Sequence, residues 1–205
     1  QQANAVIDVI TGKELNYRQL ITNPITKVTR LRSAANEFGR LAQGLQDRVT
    51  GTDTIKFIKV QQVPKGRTVT YGRFVCDMRP QKDEVEHTRL TVGGNLIEYP
   101  YSVSTKTADL TTTKLLFNSV VSTPKAKFMC MDVKNFYLNS PMPRYEYMRI
   151  PIELIPEEIM IAYDLYDKVH NGYVYMEIQK GMYGLPQAGL LANQLLAKRL
   201  AVFGY

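Results

Sequence analysis

An α+β fold is predicted by three features of this 205-residue chain. Alternating runs typical of strands and a long helical stripe occupy separate stretches. Helices and strands interleave without the regular βαβ rhythm of a doubly wound sheet. Two alternating runs flank a short charged segment, the pattern of an antiparallel hairpin. The expected architecture is a mixed or antiparallel sheet packed with helices.

The stripe comes first. From Val28, apolar side chains recur at Leu31, Ala35, Phe38, Leu41, Ala42 and Leu45, one face of a helix that Gly44 and Gly51 bracket. Arg30, Arg32 and Arg40 fall mostly off that face and read as solvated. Residues 54–60 carry strand formers, and Pro64-Lys65-Gly66 is turn chemistry. Val69 to Met78 and His87 to Val92 form the hairpin, with RPQKDEVE between them. Gly93-Gly94-Asn95 closes it as a turn rather than a phosphate cradle, because the lysine and hydroxyl of a phosphate-binding loop are missing.

Ser104 to Val121 reads as a helix capped by Ser104 or Thr105, apolar enough in its second half to be buried, and stopped by Pro124. A strand is predicted from Lys127. Residues 145–150 suit another strand. Pro156-Glu157-Glu158 starts a helix that Asn171-Gly172 is expected to end. Residues 172–180 alternate as a strand. GMYGLPQAG then leads into a helix with Ala188, Leu191, Ala192, Leu195 and Phe203 on its apolar side.

Composition narrows the function classes. The net charge is +7, with basic residues spread along the chain, which favours an anionic partner and nucleic acid first. Cys76 and Cys130 are too far apart for a disulfide framework and read as reduced core residues. With two histidines, no zinc spacing exists. No run of eighteen apolar residues is present, so a membrane partner is not expected. The chain opens on Gln1 and is expected to be part of something longer.

The stretch FMCMDVKNFYLN, Phe128 to Asn139, carries the functional signal. In an extended strand Phe128, Cys130 and Asp132 share one face, and Met129, Met131 and Val133 the other. Both faces are apolar up to Asp132, as in a central strand covered by helices. On residue chemistry alone, the plainer reading of Asp132 is a strand-end carboxylate reaching solvent.

MDVKNFYLN resembles the first catalytic motif of reverse transcriptases, above all the copia-like retrotransposon polymerases with their D-V-K-x-x-F-L-N pattern. GMYGLPQAG resembles the L-Y-G-L-x-Q-A segment of the same enzymes. RLTVGG lies where that family has its K-A-R-L-V-A-x-G fingers strand. ANEFGRLAQG through TIKFIKV lies where it has a first helix and fingers strand. The resemblance runs from about Asn36 to Tyr205, with the motifs in the family's order.

The resemblance implies an RNA-directed DNA polymerase, transferring deoxynucleotides to a primer 3′-hydroxyl on an RNA or DNA template by two-magnesium phosphoryl transfer. It implies a helical N-terminal segment at 1–50, a fingers-like region at 51–126 and a partial palm at 127–205. Asp132 would be the catalytic metal ligand, with the carbonyl of Val133 as a further Mg2+ ligand. Tyr137 would gate the sugar, or else simply pack the turn after the strand. Gln187 would touch the incoming nucleotide and the template region, with Gly184 and Gly189 permitting close backbone approach, or else simply belong to a plain N-terminal turn with Pro186 as the first helical residue. Arg89 and Lys82 would grip the triphosphate, although a loop lysine also reads as merely solvated. Compartment follows from the family alone and would be intracellular.

Departures from the family are specific. Pro186 stands where the family has Lys before the glutamine, GLLA replaces P-R-A-W, and the chain has no Trp. The Tyr-x-Asp-Asp hairpin that supplies the other metal carboxylates is missing, and no Asp-Asp pair occurs anywhere. The chain is therefore expected to be the fingers and partial palm of a longer polyprotein, inactive alone, with apolar surface exposed where further palm strands would pair and with marginal solubility. The alternative is a non-catalytic nucleic-acid-binding module or domesticated remnant of the same fold.

Overall fold

The computed structural model describes residues 6–8, 11–105 and 108–204. The fold is α+β, as the sequence predicts. Two short strands, β1 (Gly44–Leu45) and β2 (Val49–Thr50), form a small ribbon. Five others make the main sheet: β3 (Ile55–Ile58), β4 (Val69–Met78), β5 (Glu86–Val92), β6 (Pro141–Pro151) and β7 (Tyr173–Lys180). Their order is β3-β7-β6-β4-β5. All neighbours are antiparallel except β4 and β6, which run parallel and pair only through Val69–Tyr147, Thr70–Met148 and Tyr71–Arg149.

Helix α1 (Tyr17–Thr22) was not anticipated, although its start is written in the sequence. Asn16 accepts from the Gln19 amide and the Gln19 side chain accepts from the Asn16 amide, a capping box with glutamine in the usual acidic place. Helix α2 (Lys27–Leu41) is the predicted stripe, shorter at its end because Leu45 belongs to β1. Ala35, Phe38, Leu41 and Ala42 bury completely, while Val28 stays exposed. Together with Ile55, Phe57, Leu90, Met148, Ile150, Met176 and Ile178 they form the main core between α2 and the sheet.

Arg30 corrects the reading of α2's cations as solvated. It is fully buried and donates to the carbonyls of Asp77 at 3.1 Å and His87 at 3.0 Å. Two further α2 side chains reach the same edge of the sheet. Ser33 Oγ accepts from the Thr88 amide at 2.8 Å, and Glu37 Oε1 accepts from the Leu90 amide at 3.2 Å. Positions 30, 33 and 37 lie on one helical face: Ser33 and Glu37 meet outward-facing amides of β5, while Arg30 bridges the paired β4 and β5 strands through Asp77 and His87. Arg40 neutralises Glu37, yet burial still holds the Glu37 carboxyl above its usual range.

Other expectations shift. Asn171-Gly172 does not end a helix: α4 (Glu157–Ala162) stops earlier. Both residues have positive φ, +49° and +77°, and connect the His170–Tyr173 bridge as a two-residue hairpin turn. Pro156 is the N-cap of α4 rather than its first helical residue.

Helix α3 (Leu110–Ser122) starts later than predicted. Asp109, rather than Ser104 or Thr105, caps it by accepting from the Thr112 amide at 2.7 Å. No α3 residue is buried. Residues 127–133 form no strand, and Met129 and Met131 are 73% and 74% exposed. An apolar run becomes a strand only where a neighbour offers a ladder for its backbone, and none of the described strands pairs with it. Phe117 against Phe128, with ring centroids 4.8 Å apart, joins α3 to this segment. Cys130 lies on it and is exposed, whereas Cys76 is a core residue as expected.

Helix α5 (Ala188–Ala201) buries Ala188 and Ala192 and leaves Phe203, past its end, exposed. The main core draws on residues from Ala35 to Ala188.

Removing one rung of the α2–β5 contact is a direct test. Glu37→Ala leaves the Leu90 amide unpaired in the core and is expected to cost about 2–4 kcal/mol in urea unfolding. Arg32→Ala, on the exposed side of the same helix, should stay within about 0.5 kcal/mol.

Candidate functional site

Three segments far apart in sequence converge at one end of the sheet: the end of β5, the turn after residue 133, and the loop between β7 and α5. The turn forms because Asn135 adopts a left-handed conformation, φ +55°, which asparagine tolerates. A single 3-10 turn, Tyr137–Asn139, follows, and Asn139 ties back by donating to the Asn135 carbonyl at 3.1 Å. The turn's backbone lies so close to Gly181 that a Cβ there would sit 2.8 Å from the Tyr137 carbonyl oxygen. Gly184, φ +95°, lies against β5, where a Cβ would fall 2.1 Å from the Val92 carbonyl oxygen. The Val92 amide donates to the Tyr183 carbonyl at 2.8 Å. The two glycines of GMYG thus clamp the loop between the turn and the strand, with Tyr183 at the centre.

Tyr183 links two of the expected nucleotide contacts. The Arg89 guanidinium lies over its ring, 5.0 Å from the centroid, and the Tyr137 ring meets it edge-on at 5.3 Å and 82°. Arg89 keeps a long contact to Asp77 Oδ2 at 3.9 Å and is about a third exposed. Asp77 also holds His87, whose Nδ1–H donates to Oδ1 at 3.0 Å. Burial, aided by Arg79, pushes the His87 pKa below its usual value of 6.5, so the ring is neutral near pH 7 and serves as a donor.

Gln187 is the N-cap residue of α5 and is 3% exposed. Its Oε1 has no hydrogen-bond partner, and its Nε2 reaches only the Met142 sulfur at 4.0 Å. It lines a cavity of about 230 Å³ together with Tyr99, Tyr101, Met142, Arg144 and Leu191. Gly189 differs from the expectation of close approach: a Cβ there would meet nothing within 4 Å.

Asp132 and Lys82 lie outside this group. Asp132 sits in the exposed, unpaired segment, and Lys82 occupies the turn at the hairpin tip, its amide donating to the Arg79 carbonyl at 3.0 Å. Among the described residues, no hydrogen bond or ion pair ties either side chain to the Arg89–Tyr183–Tyr137 column. Magnesium needs several oxygen ligands, and no cluster of three histidine, cysteine or acidic side chains occurs among the described residues. Asp132 with the Val133 carbonyl does not make a magnesium site by itself.

Sequence reasoning passed over Tyr183, Asp77 and Glu37. Tyr183 stands inside a quoted motif, but nothing in its spacing signals a stacking role. Comparison with known protein families, with curated proteins and with solved structures finds no match to this chain.

The two motif glycines separate backbone need from mere presence. Gly184→Ala is expected to destabilise the fold by at least about 2 kcal/mol in urea unfolding, through positive φ and contact with Val92. Gly189→Ala, in the first turn of α5, should be neutral or gain up to about 1 kcal/mol.

His87 gives a pH signature. Its folded pKa is depressed, so the unfolded chain takes up the proton first as pH falls below about 6.5, and stability is lost on that descent. The melting temperature should drop more between pH 7 and pH 5 for the native protein than for His87→Gln.

Proposed function

We propose that this chain is the fingers and partial palm of a copia-like reverse transcriptase, acting within a longer polyprotein to add deoxynucleotides to a primer 3′-hydroxyl on an RNA or DNA template. The reading is carried by one observation. The segments that resemble the family's motifs, RLTVGG, KNFYLN and GMYGLPQAG, meet in space through Arg89, Tyr137, Tyr183 and the glycine contacts, although they lie up to 95 positions apart along the chain (Arg89 to Gly184). Incidental motif matches have no reason to converge.

In this proposal Arg89 binds the triphosphate. Its planar fork is held by stacking while the edge N–H groups stay free for phosphate oxygens. Tyr137 lies under the sugar and rejects a 2′-hydroxyl by contact. Gln187 supplies a buried amide whose unmade hydrogen bonds a nucleotide or template base would complete. Asp132 supplies one carboxylate toward magnesium, and the further carboxylates come from outside these residues. The exposed apolar surface of α3 and residues 127–133 is where this reading puts additional palm strands.

The second reading, a non-catalytic nucleic-acid-binding module or remnant, draws on the exposed, isolated setting of Asp132. It keeps the net charge of +7 and salt-dependent binding to template-primer. Calorimetric titration of deoxynucleotide with and without magnesium separates the two, since a remnant shows no metal-linked binding.

Primer extension with magnesium tests the main reading. The 205-residue chain alone should not extend a primer. The longer protein containing it should, and Asp132→Asn should reduce its rate by at least about 100-fold. Full activity with asparagine at 132 would sink the assignment of the metal ligand.

A further inference from the structure

We infer that Tyr183 is a positioning residue that sets sugar discrimination, by fixing the triphosphate-binding cation and the sugar gate on one aromatic ring. The inference rests on the nucleotide-binding roles proposed above for Arg89 and Tyr137, and goes beyond them to a residue to which no role has been given.

The geometry is specific to a ring at this position. Among the described residues, no hydrogen bond, ion pair or cation–π contact joins Arg89 on β5 to Tyr137 after the turn. Both touch Tyr183: the guanidinium over its face at 5.0 Å, and the Tyr137 ring edge-on at 5.3 Å. A cation–π contact holds the guanidinium by its charge without using its N–H groups as an ion pair would. Asp77 competes for that edge only at 3.9 Å.

The backbone of Tyr183 has little freedom. Its backbone carbonyl is tied to the Val92 amide at 2.8 Å, and the glycines two residues before and one after are pressed on the Tyr137 carbonyl and on β5. A nucleotide held at its phosphates by Arg89 therefore meets Tyr137 at a sugar position set by the one ring that touches both. Without the ring, Arg89 keeps its charge but loses its orientation, and Tyr137 loses the wall that keeps it upright against the sugar.

The test is binding of dATP and ATP, each with magnesium, to the 205-residue chain by calorimetry. The native chain should bind dATP and prefer it to ATP. Tyr183→Leu should weaken dATP binding about tenfold and bring the dATP-to-ATP ratio close to one. Tyr183→Phe, which keeps the ring, should retain both affinity and ratio.

If the native chain binds dATP selectively and folded Tyr183→Leu does the same, the inference is overturned while the nucleotide-site reading stands. If the native chain shows no preference for dATP, the nucleotide-site reading falls and takes the inference with it. If Tyr183→Leu does not fold, Arg89→Lys carries the test, since it keeps the charge and removes the stacked fork. It should lose affinity and selectivity together, and native-like binding by Arg89→Lys would overturn the inference.

Discussion

The sheet depends on how one edge is closed. β5 ends the strand order, and an open strand edge offers backbone donors and acceptors that must find partners. Helix α2 provides them from side chains, Ser33 to the Thr88 amide and Glu37 to the Leu90 amide, and its Arg30 ties the Asp77 and His87 carbonyls across the hairpin. The same helix puts Phe38 and Leu41 into the main core. One amphipathic element therefore carries a polar ladder beside an apolar stripe. The core cannot form without aligning the ladder, and aligning the ladder sets where β5 lies. Arg89 is on that strand, so its position descends from the helix.

A second constraint works at the opposite end of β5. There the strand is held by backbone closeness rather than side chains, through Gly184 on Val92 and Gly94 beside the Gly184 carbonyl. The two constraints differ in kind. Hydrogen bonds to charged side chains respond to pH and substitution in graded fashion, whereas a position with no room for a Cβ tolerates nothing larger than hydrogen. The neutral His87 beside Asp77 belongs to the graded kind, because its proton affinity is set by burial against charge.

Much of the fold was legible because side-chain patterns report which face is buried. β4 and β7 follow from alternation, and α2 from its stripe. The failures share a cause: they depended on a partner that no local pattern names. Residues 127–133 have a core strand's composition but no ladder. Arg30 has a surface residue's composition, yet two carbonyls await it. Asn171-Gly172 suits a helix end and a hairpin turn alike, and only the pairing of His170 with Tyr173 chooses between them. The site divides in the same way. Arg89, Tyr137 and Gln187 could be named from motifs, whereas Tyr183 emerges only when three chain segments meet.

The parallel seam between β4 and β6 joins the hairpin to the rest of the sheet through Val69, Thr70 and Tyr71 alone. Past Tyr71, β4 continues with β5 as a two-stranded arm backed by α2. Taken as a stiff arm, the hairpin would turn about the seam. Val75, opposite Arg89, lies about 13 Å from the pivot, and the tip near Arg79 lies about 26 Å away, at the usual rise per strand residue. A displacement of the charged tip of such an arm would reach Arg89 at about half its size. Whatever presses on the tip, Lys82 included, would also bear on the position of Arg89.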